Sequence, residues 1–168
     1  YRSLFKQIEQ IILLGKEGHS SFGSSRYAET VIQKELGINV QRLTEKDTNE
    51  ATAVLQMHAH DNLVVIPSLV DNFPFTVIEA SLIPGLNFIC TNTGGISEIL
   101  SDHDRLFDPT PQSLAGKMAE RIIAGPANDQ TKYNWEAANQ AWLDFHETVA
   151  NITRETRRTT IPNIMHFK

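Results

Sequence analysis

The 168-residue chain is 40% hydrophobic and 21% charged, the balance of a globular domain long enough to bury a real core. Its net charge of −5 argues against a broad nucleic-acid surface, and no apolar run reaches membrane-spanning length. The single cysteine, Cys90, excludes an internal disulfide and fits a reducing, cytoplasmic compartment; its plainest role is a small buried core residue.

Leu4, Phe5 and Ile8 give residues 1–10 a helical spacing. Residues 11–14 read as a buried strand ending in Gly15-Lys16-Glu17-Gly18, which lacks the spacing of either glycine-rich phosphate fingerprint. A polar loop follows over 19–24. Residues 25–36 form an amphipathic helix through Tyr27, Val31, Ile32 and Leu36, stopped by Gly37. Residues 39–43 are a strand, and Asp47 caps a helix reaching to about His58. Residues 105–107 are a short strand. Thr110 and Pro111 open a helix as cap and first residue, and Gly125-Pro126 ends it. Residues 132–158 form a long helix in which Trp135, Ala138, Trp142, Phe145 and Val149, spaced by three or four, read as core. Thr159-Thr160 reads as the start of a linker.

The stretch from Pro67 to Glu98 organises the chain. Two apolar runs, 63–66 and 88–90, read as buried strands. The first is followed by the loop 68–74 and a helix over 75–82. The second is followed by Thr93-Gly94-Gly95 and a short helix from Ile96. Strand, loop and helix repeated in this way predict parallel strands with crossover helices, whose ligands bind beyond the carboxyl ends of the strands. Pro74 suits a helix start, so N–H groups around Phe75, Thr76 and Val77 point outward and favour phosphate. Asp71 precedes that helix and Glu79 lies within it, with seven residues between them. Like charges repel, so both acids suit hydroxyl groups beside a phosphate. A structural pair, with Asp71 as a helix cap and Glu79 as a solvated helix residue, fits the local pattern equally well.

Pro67-Ser68, the acid Asp71, Phe73, the second acid Glu79, Ala80-Ser81, Pro84-Gly85 and Gly94-Gly95-Ile96-x-Glu98 together resemble a known family. It is the C-terminal half of GT-B glycosyltransferases of the family 4, or group 1, type. The resemblance is strongest over 62–100 and extends from 11 to about 124. It implies an α/β, Rossmann-like parallel sheet flanked by helices. Residues 1–158 would be a nucleotide-sugar-binding domain with a long C-terminal helix. The whole enzyme would be a hexosyltransferase, retaining and metal-independent, with no cofactor. It would move a sugar from a nucleotide diphosphate sugar to an acceptor glycan or lipid-linked acceptor. Such chemistry belongs to polysaccharide biosynthesis at the cytoplasmic face of the inner membrane. Acceptor binding would come from an N-terminal half.

By resemblance, Asp71 is the acid of the catalytic site and binds hydroxyls of the donor sugar. Asn72, Phe73, Pro74, Phe75 and Thr76 would hold sugar and diphosphate through the turn and helix start, Glu79 would bind the ribose, and Thr93, Gly94 and Gly95 form the neighbouring loop. The family usually has Glu and Gly where this chain has Asp71 and Asn72. Asp is shorter, and Asn tolerates positive φ better than most residues.

On this alignment residues 11–14 are the family's second strand. The first strand, with its Gly-Arg and Lys, has no counterpart here. The expectation is a sheet lacking a central strand, compensated by self-association, and a chain that alone binds donor weakly without transferring sugar. Residues 161–167 resemble the opening of a GT-A glycosyltransferase domain. An epimerase acting on UDP-sugars and a non-catalytic sugar-nucleotide or protein-interaction module remain open beside the transferase. Asp102-His103-Asp104 has the form of a metal-binding D-x-D but reads as a solvated loop, and His58 and His60 lack companions at zinc-ligand spacing.

Overall fold

The computed structural model describes residues 6–17, 24–100, 103–125 and 134–160. The chain forms two compact units, residues 1–132 and 133–168.

In the first unit the elements run β1 (Gln10–Leu14), α1 (Ser25–Leu36), β2 (Asn39–Leu43), α2 (Thr48–Met57), β3 (Leu63–Ile66), α3 (Phe75–Ser81), β4 (Asn87–Thr91), α4 (Ile96–Ile99), a 3-10 turn (His103–Arg105), β5 (Leu106–Phe107) and α5 (Pro111–Ala124). The expected Rossmann-like α/β class is what the chain adopts: every strand pairing is parallel. The strands form two groups, β1-β2 and β3-β4-β5. Ile11 pairs with Val40 in the first, Val65 with Ile89 and Cys90 with Leu106 in the second. Among the described residues β1 pairs only with β2 and β3 only with β4.

Local chemistry explains the helix limits. The Asp47 carboxylate accepts from the Glu50 N–H at 2.9 Å while the Glu50 carboxylate accepts from the Asp47 N–H at 3.1 Å, a reciprocal capping box. Thr110 accepts from the Ser113 N–H at 3.2 Å ahead of Pro111. Gly37, at φ 67°, donates its N–H to Gln33 and closes α1. Ser24, expected as mere loop, caps α1 by accepting from the Tyr27 N–H.

The core lies where β4 crosses α3 and α4. Phe88, Ile89 and Cys90 are buried with Val77, Ala80, Ile83, Leu86, Ile96 and Leu100, and Leu55, Val64, Ile66 and Leu106 pack on this cluster. All five β4 residues are buried, whereas the apolar residues of β1 and β3 are only half-buried, each strand having one unpaired edge among the described residues. Arg105, expected in a strand, sits in the 3-10 turn instead. Its guanidinium is buried over the Phe88 ring, 4.2 Å from the centroid, and donates to the Phe88 carbonyl at 3.1 Å. Arg121 is also buried; its Nε donates to Asn87 at 3.3 Å, and its Nη2 has no hydrogen-bond partner among the described residues.

The helical expectation over 1–10 fails where it can be checked. Residues 6–9 are turn and coil and Gln10 already belongs to β1, because the window straddled a strand start; residues 1–5 lie outside the described set. Residues 161–167 lie outside it as well. The described residues of the second unit form one helix, α6 (Trp135–Thr160), capped where Asn134 accepts from the Ala137 N–H at 2.9 Å. It continues through Thr159 and Thr160, where a linker was expected. In the stripe expected as core, Trp142 and Phe145 are both 62% exposed, since the described residues of this unit supply no second layer to bury them against.

Candidate functional site

Two loops meet at the carboxyl ends of β3 and β4, the β3–α3 loop carrying Asp71 and the β4–α4 loop carrying the glycine pair. The Gly95 N–H donates to the Asp71 carbonyl at 3.2 Å. A Cβ on Gly94 would stand 1.9 Å from the Asp71 carbonyl oxygen, and one on Gly95 would stand 2.4 Å from that of Asn72. Only glycine fits at both positions, and Gly94 also adopts φ 57°. The hydroxyls of Thr91 and Thr93 both donate to the Ser68 carbonyl, that of Thr93 at 2.9 Å.

Asp71 is half-buried, and its Oδ1 accepts from the Phe73 N–H at 3.1 Å. This is an Asx-turn, not a cap on α3. The Phe73 N–H, one of the donors expected to face a ligand, is therefore held by the protein's own carboxylate. The second oxygen, Oδ2, has no partner among the described residues. Asn72 needs no left-handed backbone: no described non-glycine residue has positive φ, so Asn replaces the family's Gly without strain.

Pro74 is buried and is the N-cap of α3, one residue before the helix proper, with no side-chain cap. The Val77 N–H bonds the Pro74 carbonyl at 3.0 Å, so it does not face outward as expected. Val77, Ile78 and Ala80 turn into the core, which leaves Phe75, Thr76 and Glu79 exposed. Phe73 and Phe75 meet edge to face with centroids 5.1 Å apart, and Leu69 and Val70 are exposed beside them. The structure thus joins Asp71 and Asn72 to Gly94 and Gly95, with Ser68 held by Thr93, while Glu79 stands on the exposed face of α3.

A cleft of about 500 Å³ opens beyond β4 and β5, lined by Asn92, Ser97, His103, Phe107, Asp108 and Ser113. Neither Asp71 nor Glu79 lines it. His103 and Asp104 fall in the 3-10 turn, and Asp102 is outside the described residues. Among the described residues no three His, Cys, Asp or Glu side chains stand together as a metal site, and no described helix is long and apolar enough to cross a membrane. His60 lies against the Cα of Gly85, 2.7 Å from where a Cβ would be.

Sequence reading missed a polar cluster after β1. Glu17 accepts from the Ser25 N–H at 2.8 Å and from its hydroxyl, and Arg42 bonds Glu29 at 2.8 Å and the Ser25 hydroxyl at 3.2 Å. The two Ser25 hydrogen bonds, then Arg42 and Arg26, hold the Glu17 carboxyl below its usual range. Only the acid before a helix start hinted at it. Burial pushes the Cys90 thiol up to about 12, opposed by the Arg105 charge.

The family model described as glycosyl transferases group 1 matches residues 14–138, which spans both loops. No curated protein and no solved structure matches the chain. The family match covers most of the chain, the parallel α/β fold agrees with it, and the glycine pair has a structural reason to be there: the chain belongs to the group 1 glycosyltransferases, enzymes that move a sugar from a donor to an acceptor.

Proposed function

We propose that the chain is the donor-binding half of a retaining glycosyltransferase of the family 4 type, which holds a nucleotide diphosphate sugar at the paired loops. Asp71 Oδ2 accepts a hydrogen bond from a donor-sugar hydroxyl, while Oδ1 keeps the turn closed. Glu79, exposed one turn into α3, accepts from the ribose hydroxyls. The start of α3 faces the diphosphate with its partial positive charge, which supports the leaving group as its negative charge grows. The acceptor, a glycan or lipid-linked hydroxyl, comes from a second half of the enzyme. The observation that carries this reading is the docking of Gly94 and Gly95 onto the backbone of Asp71 and Asn72, within the stretch the family model matches.

Calorimetric titration of UDP-, GDP- and ADP-sugars tests it. The expected result is weak binding of one nucleotide class, weakened further by Asp71→Asn and by Glu79→Gln. Absence of binding to every member of the panel refutes it. The engagement of Asp71 by its own turn favours a second reading, a module that binds sugar nucleotides without turnover. Donor binding with neither transfer nor hydrolysis by the full-length protein would decide for that module.

A further inference from the structure

We infer that Thr91 and Thr93 are positioning residues for the Asp71 loop, acting through the Ser68 carbonyl; this rests on the reading of that loop as the donor site. Thr91 ends β4 and is buried at 1% exposure, so its hydroxyl direction is set by the core. Its proton goes to the Ser68 carbonyl. Thr93 donates to the same oxygen at 2.9 Å, and the two hydroxyl oxygens lie 3.2 Å apart. A carbonyl oxygen has two lone pairs, and here both are taken by the neighbouring strand end.

The consequence lies three residues on. Ser68 begins the loop, the Asp71 carbonyl is held by the Gly95 N–H, and Leu69 and Val70 arch between these two ties into solvent. With both ends of the arch fixed to β4 and its turn, the Asp71 backbone cannot rotate freely, and its carboxylate keeps Oδ1 on the Phe73 N–H. Neither threonine needs to touch a ligand. Their hydroxyls turn a mobile arch into a preorganised one, which spares a ligand the ordering cost.

The test uses Thr91→Val, Thr93→Val, the double variant and the rescue variant Thr91→Ser, with two readouts. The first is amide hydrogen exchange of the ligand-free chain. Loss of one hydroxyl should speed exchange at Phe73 about fivefold, and loss of both about thirtyfold, at the scale of one neutral hydrogen bond each. Cys90 and Ile89 amides should be unchanged, and Thr91→Ser should restore the wild-type rate. The second is affinity for UDP-glucose and GDP-mannose as probes, which should fall by the same factors and recover in Thr91→Ser. Unchanged Phe73 exchange in the double variant overturns the inference whether or not any probe binds. Faster exchange with unchanged probe affinity overturns the link to the donor site. Failure of both probes with the wild-type chain counts against the donor reading, while the exchange result still decides the positioning. Equal acceleration at Cys90 and Phe73 would mark general destabilisation and also overturn it.

Discussion

Gly94→Ala probes the contact on which the site is built. The new Cβ would lie 1.9 Å from the Asp71 carbonyl oxygen and 2.8 Å from its carbon, both backbone atoms with no rotamer to escape into. The loops must part by roughly an ångström, at an overpacking cost of about 1–3 kcal/mol. That movement also breaks the Gly95 to Asp71 hydrogen bond, worth about 1 kcal/mol. Alanine at φ 57° adds about 1 kcal/mol of backbone cost. Gly37→Ala is the control: φ is 67°, but nothing lies within 4 Å of its Cβ, so only the backbone cost of about 1 kcal/mol applies. The assay is urea unfolding followed by far-UV circular dichroism. Circular dichroism is the direct probe of the unit that holds the loops, since both tryptophans, Trp135 and Trp142, belong to the helical unit. Gly94→Ala should cost about 2–4 kcal/mol more than Gly37→Ala and abolish donor binding. Equal losses from the two substitutions would show that the glycine pair serves backbone conformation alone and that the loops are not docked as described.

Cys90, with its thiol pushed up to about 12, should resist thiol reagents at pH 8 until the chain unfolds, as timed labelling in a urea series would show. A folded-state value above the ordinary thiol value of 9.0 means that its stabilising contribution is complete below 9.0 and is lost as pH rises towards about 12; urea midpoints that rise over that interval would contradict this. The two buried arginines should behave differently in the same unfolding assay. Arg105→Met forfeits the Phe88 carbonyl and ring contacts and should cost about 2–4 kcal/mol, whereas Arg121→Met gives up the Nε bond to Asn87 but also removes an Nη2 without a partner among the described residues, and should cost less, about 1 kcal/mol. Asp47→Ala breaks the capping box and should cost about 1 kcal/mol. Glu17, held below its usual range by Ser25, contributes stability above 4.5 that is lost as pH falls through its lowered folded value; Glu17→Gln should flatten that acid limb of the stability profile.

Features set by neighbours in sequence were legible. Asp47 with Glu50, Thr110 with Pro111, and Gly37 after an amphipathic run each carry their hydrogen bonds within one turn, and the structure places those boundaries where the residues do. The run at 63–66 matched its strand for a similar reason, since apolar β-prone residues between turn signals have few alternatives, and 39–43 matched with Val40 and Leu43 as its apolar residues. What was not legible depends on distant partners. Arg105 reads as a strand residue until Phe88 supplies a ring and a carbonyl for its guanidinium. Glu17 reads as loop until Ser25 and Arg42 close on it. The stripe of α6 has the spacing of a core helix, but spacing states only that a face is apolar, not what covers it.

The glycine pair shows why the candidate site was half legible. As letters, Gly94-Gly95 ahead of a helix start mark a loop near the site and belong to the motif that resembles the family, without saying what they touch. The geometry assigns them a different task, that of letting one loop's Cα atoms reach the carbonyls of another loop some twenty residues earlier in the chain. Asp71 is held on both sides as a result: its carbonyl by Gly95, its carboxylate by Phe73. A shorter acid than the family's usual Glu is tolerable in such an arrangement only if the turn itself, not side-chain length, presents the free oxygen. Restoring length by Asp71→Glu would remove the two-residue Asx geometry that the short side chain permits, so the turn and the acid were not free to vary separately.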